Sequence, residues 1–329
     1  MRVPEHERGA ALLAVLLLVA VIGAVSATML GKMRLQTSLA VNSLAAAQAR
    51  AFSLGLESLV TLTIDDLTAD SRDRTTLMGG WNGATRRYPL PHGRGLAEVT
   101  VRDGGNCFNI NSVAQGDAIQ GLAARPAGIQ QFTALMRVAG IAEGDAARVA
   151  AAAADWVDSD VDPVFGGAED QAYAASQQPY RTGNTLFAEV SELRAVAGVT
   201  PEIYARLRPL LCALPVAEMS PINVNTLLPD QAPLIAMLDP SRVGVDKARR
   251  IIVERPAEGW ESGNAFWAQP ILKDGVAPQP SVMQTQVRTV WFAMDMQVAI
   301  EDAELVETAL VDARVQPARI AMRRWGADD

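Results

Sequence analysis

The longest apolar stretch of the chain lies close to its N-terminus. The run from Ala10 to Leu30, AALLAVLLLVAVIGAVSATML, has 21 residues and no charged side chain. A helix of that length spans about 30 Å, which is the thickness of a bilayer's hydrocarbon core. Because a spanning segment must satisfy its backbone polar groups internally, the run is predicted to be a transmembrane helix. Arg2 and Arg8, in the short polar leader before it, favour a cytoplasmic N-terminus.

Two interpretations of this run remain open. In the first it is a secretory signal peptide, cut after a small residue such as Ala27. In the second the cut falls between Gly9 and Ala10, and the helix is retained. Residues 31–66 are rich in Ala, Leu and Gln, and no proline occurs between Pro4 and Pro89, so a helix can continue far beyond the apolar run. A discarded peptide needs no such continuation, which favours the retained helix.

Strand patterns occur near both ends of the remaining chain. Alternating segments at 86–90 and 95–102 flank a turn, and 107–111 (CFNIN) begins a third strand. The pattern returns at 287–300, 304–313 and 319–325. The simplest account is one antiparallel sheet packed on the emerging helix and interrupted by an insert. The predicted fold class is therefore α+β, with an N-terminal helix over 10–70 and a sheet domain formed by 71–111 and 281–329.

The segment between these strands, 112–280, is predicted to be a helical inserted domain. Two of its pieces look like helix–hairpin–helix units, namely VSELRAVAGVTPEIYARLRPLL and INVNTLL followed by RVGVDKARRIIVERP. Such units often bind the DNA backbone. Since the net charge is −8 and no basic run occurs, packing units without a nucleic acid are favoured. The predicted helices of the insert cover residues 129–138, 145–157, 190–197, 201–211, 227–238 and 245–254.

Histidine and cysteine content restricts the chemistry. The only histidines are His6 and His92, so imidazole catalysis and a multi-histidine metal site are close to excluded. The two cysteines, Cys107 and Cys212, would be buried thiols in a reducing compartment. Beyond a membrane anchor, in a bacterial periplasm, one disulfide is favoured instead.

One segment could carry site chemistry, and it is strongly acidic. Six carboxylates fall within 16 residues and would repel each other on a compact loop, unless a hard cation such as Ca²⁺ removes the repulsion. The lack of nearby His or Cys argues against Zn²⁺, and the spacing does not fit an EF-hand. A solvated acidic loop without an ion is the open alternative. The six are Asp155, Asp158, Asp160, Asp162, Glu169 and Asp170.

A short leader that ends in Gly9, followed by an apolar helix with a long extension, resembles type IV pilins and type II secretion pseudopilins. In that family a prepilin peptidase cuts after the Gly and methylates the new N-terminus, here Ala10. Most members carry Glu at the fifth mature position, whereas this chain has Ala14. The subunit that regularly lacks this Glu is the minor pseudopilin K. The motifs CFNIN, DWVDSDVDP, GGAEDQAY, PYRTGN and SPINVNTL are very similar to that family's, and the likeness runs from residue 9 to residue 325.

The resemblance implies a structural role and no enzymatic activity. It implies a subunit of the bacterial inner membrane with one membrane pass and a periplasmic head, which caps the tip of the pseudopilus and helps initiate its assembly. The implied partners are minor pseudopilins I and J, with an exoprotein substrate or the secretin as further candidates. Small residues of the helix, Gly23, Ala24, Ala27 and Gly31, would let these helices approach closely.

The resemblance also implies structural calcium in the acidic loop, 155–184. Asp158, Asp160, Glu169 and Asp170 are the first-choice ligands, Asp155 and Asp162 the second choice, and backbone carbonyls of 171–184 can complete the shell. The two cysteines fall where the family places its disulfide. Two alternatives stay open: a minor pilin of a type IV pilus, and a membrane-tethered calcium-dependent hydrolase that uses two of the acids. No nucleophile elbow or phosphate-binding loop supports the hydrolase.

Overall fold

The computed structural model describes residues 5–70, 73–91, 95–117, 119–175, 178–272, 275–301 and 303–326. The α-helices in these ranges are α1 Glu5–Asp70, α2 Pro126–Val138, α3 Glu143–Val157, α4 Asp170–Ala174, α5 Pro201–Leu207, α6 Ala232–Ala236, α7 Val245–Val253, α8 Gly263–Trp267 and α9 Gln279–Gln284. The strands are β1 Thr85–Pro89, β2 Gly95–Asp103, β3 Phe108–Asn109, β4 Ala114–Asp117, β5 Gly121–Ala124, β6 Leu211–Cys212, β7 Ile222–Asn223, β8 Thr285–Gln286, β9 Trp291–Ile300, β10 Ala303–Asp312 and β11 Arg319–Trp325.

Helix α1 is continuous over 66 residues, which confirms the predicted extension of the apolar run. Its Leu12–Ala69 part is long and apolar enough to cross a membrane, and the 18 most apolar consecutive residues are not buried by the rest of the chain. Side chains become buried only from Ala45 onward. From there the buried positions recur every three or four residues, with Leu56 and Glu57 adjacent, and so share one face of the helix. They are Ala45, Ala49, Ser53, Leu56, Glu57, Val60, Ile64 and Thr68.

That face packs on a five-stranded sheet with the order β1-β2-β9-β10-β11. All four pairings are antiparallel. Strands β2 and β9 are neighbours in the sheet, although the whole helical segment lies between them in the sequence. Alternate residues of β9, from Met294 to Ile300, are buried against α1, as the period of two requires. The prediction of one antiparallel sheet on the emerging helix is confirmed, although β9 begins at Trp291 instead of residue 287.

The predicted third strand at 107–111 was wrong as a member of this sheet. Only Phe108 and Asn109 are extended, they pair in parallel with β6, and Ile110–Val113 forms a 3₁₀ helix. The alternation of apolar and polar residues is typical of a half-exposed strand, but here the polar side chains are buried. The Asn109 side-chain oxygen accepts hydrogen bonds from the backbone N–H groups of Leu214 (3.0 Å) and Asn111 (3.2 Å). Side-chain bonds therefore replace the ladder of a sheet.

The insert is mainly helical, as predicted. Helices α2 and α3 begin before the predicted residues 129 and 145, whereas the later helices are shorter than predicted. The helix predicted over 201–211 stops at Leu207, because Pro209 follows and removes a backbone donor. Residues Val190–Ala195 form a 3₁₀ helix, and Pro229–Gln231 forms another before α6. Further 3₁₀ turns lie at Met78–Gly80, Arg208–Leu210 and Pro270–Leu272. The β4–β5 hairpin was not predicted, since its sequence has no strand alternation.

Two N-x-N motifs, at residues 109–111 and 223–225, give the helical segment an internal repeat. The Asn111 side chain accepts from the N–H of Phe187 (2.7 Å) and donates to its carbonyl (3.0 Å). The Asn225 side chain bonds Trp260 in the same way, at 2.7 and 2.9 Å. Each motif also begins with a short strand that is closed by a parallel partner, β3 with β6 and β7 with β8. The second N-x-N motif and its partner thus repeat the construction of the first.

The buried apolar residues form two clusters. One lies between α1 and the sheet, and the other fills the helical segment around Phe108, Phe132 and Phe266. Phe108 lies upstream of residue 112, so the helical core begins before the predicted boundary. The boundaries proposed for the inserted domain remain a prediction.

A buried carboxylate joins the sheet to the helical segment. Asp103, at the end of β2, accepts hydrogen bonds from the hydroxyls of Thr226 and Thr289 and from the N–H of Gly105. Burial raises the pKa of Asp103, and these hydrogen bonds oppose the rise. The Cys107–Cys212 disulfide lies beside this junction, with a Cα–Cα distance of 5.7 Å, and confirms the predicted pair.

The buried hydrogen bonds of Asn111 predict that Asn111→Ala strongly destabilises the folded protein. The substitution leaves the N–H and carbonyl of Phe187 and the carbonyl of Leu214 without their partner inside the core. We expect the free energy of unfolding to fall by roughly 2–4 kcal/mol in a denaturant titration. The matched control is Asn264→Ala at an exposed position, and an equal loss in both variants would contradict this role for Asn111.

Candidate metal centre

The acidic loop begins where the alanine-rich helix α3 ends. The N–H of Asp158 still bonds to the Ala154 carbonyl, but the backbone of Asp158 is already extended. The next residue, Ser159, is held by the β4–β5 hairpin. Its N–H donates to the Leu122 carbonyl (2.8 Å), and its hydroxyl accepts from the Leu122 N–H (2.9 Å). The loop therefore leaves α3 in a fixed direction.

Three carboxylates converge in this loop. Asp158, Asp160 and Glu169 each offer an oxygen, and these oxygens lie within 4.8 Å of one another. Asp160 is exposed, whereas Asp158 and Glu169 are buried. Asp158 Oδ1 and Glu169 Oε1 have no hydrogen-bond partner among the described residues. Buried carboxylate oxygens without donors are costly, so this arrangement fits a bound cation.

A fourth carboxylate, that of Asp155, lies directly behind them and is fully buried. Its Oδ1 accepts a hydrogen bond from the Val164 N–H (2.9 Å), and its Oδ2 has no partner in the described part of the chain. Gly167 makes this approach possible, since a Cβ there would come within 1.9 Å of Asp155 Oδ2. The backbone of the turn at Gly167 therefore packs directly against the Asp155 carboxylate.

The electrostatics of the group are unfavourable without a cation. Burial, followed by the charges of Asp160, Asp155 and Glu169, raises the pKa of Asp158 to about 7. Burial and the charge of Asp155 likewise raise the pKa of Glu169. Burial raises the pKa of Asp155 as well, against hydrogen bonds from the backbone. Asp155, Asp158 and Glu169 thus each resist ionisation, as expected for buried acids close to other negative charges.

Asp170 and Asp162, the other predicted ligands, lie outside the group of three. Asp170 Oδ1 accepts from the Thr182 N–H (3.0 Å) and hydroxyl (2.9 Å), and these bonds lower the pKa of Asp170. Arg181 approaches its other oxygen at 3.8 Å. Asp162 is exposed, and its N–H donates to Asp160 Oδ1 (2.9 Å). Of the 171–184 segment, residues 176 and 177 lie outside the described part.

An aromatic cluster holds the two ends of the loop together. Trp156 packs edge-on against Tyr173 at 5.5 Å between ring centroids, and it stacks on Phe187 at 6.3 Å. The Asn184 N–H also donates to the Trp156 carbonyl (3.0 Å). Sequence reasoning identified the acids but not this cluster or Ser159, because apolar rings and a single serine carry no local signal of a metal site.

The donor set consists of carboxylate oxygens, which suits a hard divalent cation such as Ca²⁺. Asp158, Asp160 and Glu169 could hold the ion directly, with Asp155 behind them.

Comparison with known proteins identifies the family. Two family models, both described as type II secretion system protein K, match residues 106–216 and 222–286. The type II secretion system protein K of Pectobacterium carotovorum is 34% identical over 98% of this chain and 97% of its own length. That of Klebsiella pneumoniae is 35% identical, with the same coverage. The chain belongs to the type II secretion system protein K family.

A solved structure supports the protein K assignment. The crystal structure of the GspK–GspI–GspJ complex from the type II secretion system of enterotoxigenic Escherichia coli matches with a TM-score of 0.72 and 30% sequence identity. The match covers 85% of this chain and 96% of the other. The resemblance drawn from the motifs and the predicted fold class are therefore confirmed.

The repulsion within the group predicts an unusual effect of Asp158→Asn. The folded-state pKa of Asp158, about 7, lies above its ordinary value, 3.8, so the folded state binds more protons between these values. The contribution of Asp158 to stability is therefore full below pH 4 and is lost as the pH rises through 7. With chelator at pH 8, we expect Asp158→Asn to raise the free energy of unfolding by roughly 1–3 kcal/mol.

The measurement is a denaturant titration at pH 8 with excess chelator, and the control is Asp162→Asn, an exposed acid of the same loop. A destabilised Asp158→Asn protein under these conditions would contradict the repulsive arrangement.

Proposed function

We propose that this protein is a structural minor pseudopilin that caps the tip of the type II secretion pseudopilus and helps initiate its assembly for protein export across the outer membrane. The observation that carries the proposal is the division of α1. Its apolar side chains from Leu12 to Leu44 are exposed, whereas the part from Ala45 onward is buried against the sheet. One end of the helix is therefore available to lipid and to other helices, and the other end carries the head.

The family's processing supports an anchor that is kept. Cleavage after Gly9 would leave Ala10 as the first residue of the anchor and leave the subunit in the inner membrane with its head in the periplasm. Small residues such as Gly23 and Gly31 would let sister helices approach, since a Cβ at either position meets nothing within 4 Å. The partners we propose are the minor pseudopilins I and J, in keeping with the complex that the enterotoxigenic relative forms.

The size of the head supports capping. The pilin-like sheet uses only 85–103 and 291–325, and the helical segment adds a second core between them. A subunit stacked above would have to share space with that core. Ala14 is consistent with a terminal position, because a Glu within the apolar run would need a partner amine from a neighbouring subunit.

Calcium is the proposed structural ion. The oxygens of Asp158, Asp160 and Glu169 supply a negative, partly buried donor set, and Asp155 adds charge behind it. An ion there would fix the loop against the aromatic cluster and stiffen the head. The role is structural, not catalytic.

The anchor predicts a defined mature N-terminus. Mass spectrometry of the membrane-extracted protein should find N-methylated Ala10 as the first residue, because the peptidase cuts before the apolar run. A variant with Gly9→Leu should keep its leader, whereas Gly23→Leu should be processed normally. A mature protein that begins near Thr28 would instead show that the run is a discarded signal peptide.

The metal site predicts calcium-dependent stability. At free Ca²⁺ of a hundred times the dissociation constant, the free energy of unfolding should rise by about 2.7 kcal/mol, because the ion binds only the folded loop. Thermal unfolding with calcium and with chelator measures the difference. Glu169→Gln should abolish it and Glu304→Gln, at an exposed strand position, should retain it; equal responses of the two variants would contradict the site.

A further inference from the structure

Two polar residues, one helical turn apart, lie in the middle of the apolar face with which α1 packs on the sheet. Ser53 and Glu57 occupy consecutive turns of that face and are buried, with Glu57 only 4% exposed. Opposite them lies Glu307 of β10, which is 1% exposed. A polar pair at the centre of an apolar interface costs free energy unless its atoms are satisfied.

One arginine serves both carboxylates. Arg323 of β11 donates to both oxygens of Glu57, through Nε and Nη2. Its Nε lies 3.5 Å from Glu307 Oε1, too far for a good hydrogen bond. The Ser53 hydroxyl donates to the other oxygen of Glu307. Glu307 Oε1 has no donor among the described residues. It faces the same Arg323 Nε that Glu57 Oε1 binds, so the two carboxyls approach each other at this arginine.

The charges of this group indicate that one of its two acids is protonated. Two buried carboxylates and one guanidinium leave a net charge of −1 inside the interface if both acids are ionised. A proton on Glu307 removes that charge, and it also gives Glu307 a donor to direct at Glu57. Paired carboxyls that share one proton are the usual solution when two acids meet in a dry environment.

Among the described residues, the other charged groups near the pair contact other partners. From α1, the neighbouring charged groups are Glu57 and Arg50, and the Arg50 guanidinium lies over the Trp325 ring at 5.0 Å. From β11, Arg323 is already bonded to Glu57, and Arg324 pairs with Glu189 at 2.8 Å. From β9, the residue paired with Glu307 is Met296, which is apolar.

We propose that Glu57 and Glu307 share one proton, and that this proton clamps the sheet onto the pilin helix. The proposal does not depend on calcium or on the position of the subunit in the pseudopilus. It makes the docking of the head on its helix sensitive to pH near neutrality.

The direction of the pH effect on stability follows from the pKa shifts of the two acids. Burial and the neighbouring Glu57 raise the pKa of Glu307 to about 7, above its ordinary 4.5. Burial also tends to raise the pKa of Glu57, but the hydrogen bonds from Arg323 and Glu307 lower it overall. Between pH 5.5 and 8, Glu57 therefore stays ionised and Glu307 titrates. Since the folded state holds the extra proton, the stability that Glu307 contributes is lost as the pH rises through 7.

The test is thermal unfolding of the full chain in detergent, with saturating calcium, from pH 5.5 to 8.5. We expect the unfolding midpoint to fall over this range by a few degrees more in the unaltered protein than in Glu307→Gln, which mimics the protonated acid and cannot lose a proton. Glu304→Gln is the control, because Glu304 is on the same strand but exposed. It should keep the full decrease.

Infrared difference spectroscopy gives a readout that a merely structural role would not move. The difference spectrum between pH 5.5 and pH 8.5 should contain the band of a protonated buried carboxyl that the spectrum of Glu307→Gln lacks. A band from Asp103, whose pKa is also raised by burial, would occur in both proteins. If that variant does not fold, Glu57→Gln serves instead. With Glu57 neutral, Glu307 is left beside Arg323, and the loss of its proton should shift to lower pH. An unchanged pH dependence of unfolding in Glu307→Gln and Glu57→Gln, or the lack of a protonated-carboxyl band that Glu307→Gln removes, overturns the proposal.

Discussion

The molecule depends on the apolar surface of α1 that the chain does not cover. From Leu12 to Leu44 the large apolar side chains of α1 are exposed, and no other described element reaches them. Apolar surface of that extent is stable only in lipid or against other apolar helices. The same helix changes character at Ala45, where its core face begins and the sheet covers it. A membrane anchor and the centre of a folded head are thus parts of one rigid rod.

Buried polar groups determine how the head is assembled on that rod. Asp103 with Thr226 and Thr289 ties the sheet to the helical segment, and Asn111 and Asn225 close the two repeated units of that segment. Each of these contacts joins residues far apart in the chain. Apolar packing alone allows neighbouring arrangements of similar energy, whereas a buried hydrogen bond is satisfied in only one. The same reasoning applies to the acidic loop. Its converging carboxylates repel each other, and a bound cation would stabilise the one arrangement that brings them together.

Much of the fold was predictable because its signals are local. The uncharged run fixes α1, the period of two reveals β9, β10 and β11, and the helical period locates α3 and α7. The CFNIN segment misled the prediction because burial of Asn109 and Asn111 reverses the usual meaning of alternation. In the metal centre, the sequence supplied the candidate acids but could not rank them. The path of the loop brings Glu169 to Asp158 and directs Asp170 to Thr182, and that path depends on Trp156, Tyr173 and Ser159. The Glu57–Glu307 pair was not foreseeable, since 250 residues separate the two acids.

We propose that the anchored helix joins the helix bundle of the pseudopilus and that the wide head ends the filament. The most direct measurement is the position and number of copies of this subunit in isolated pseudopili, determined by electron microscopy with a label on the exposed residue Met283 after its change to Cys. The account predicts one label per filament, always at the same end. Labels distributed along the filament would show that subunits stack above this head, and they would contradict the proposed capping role.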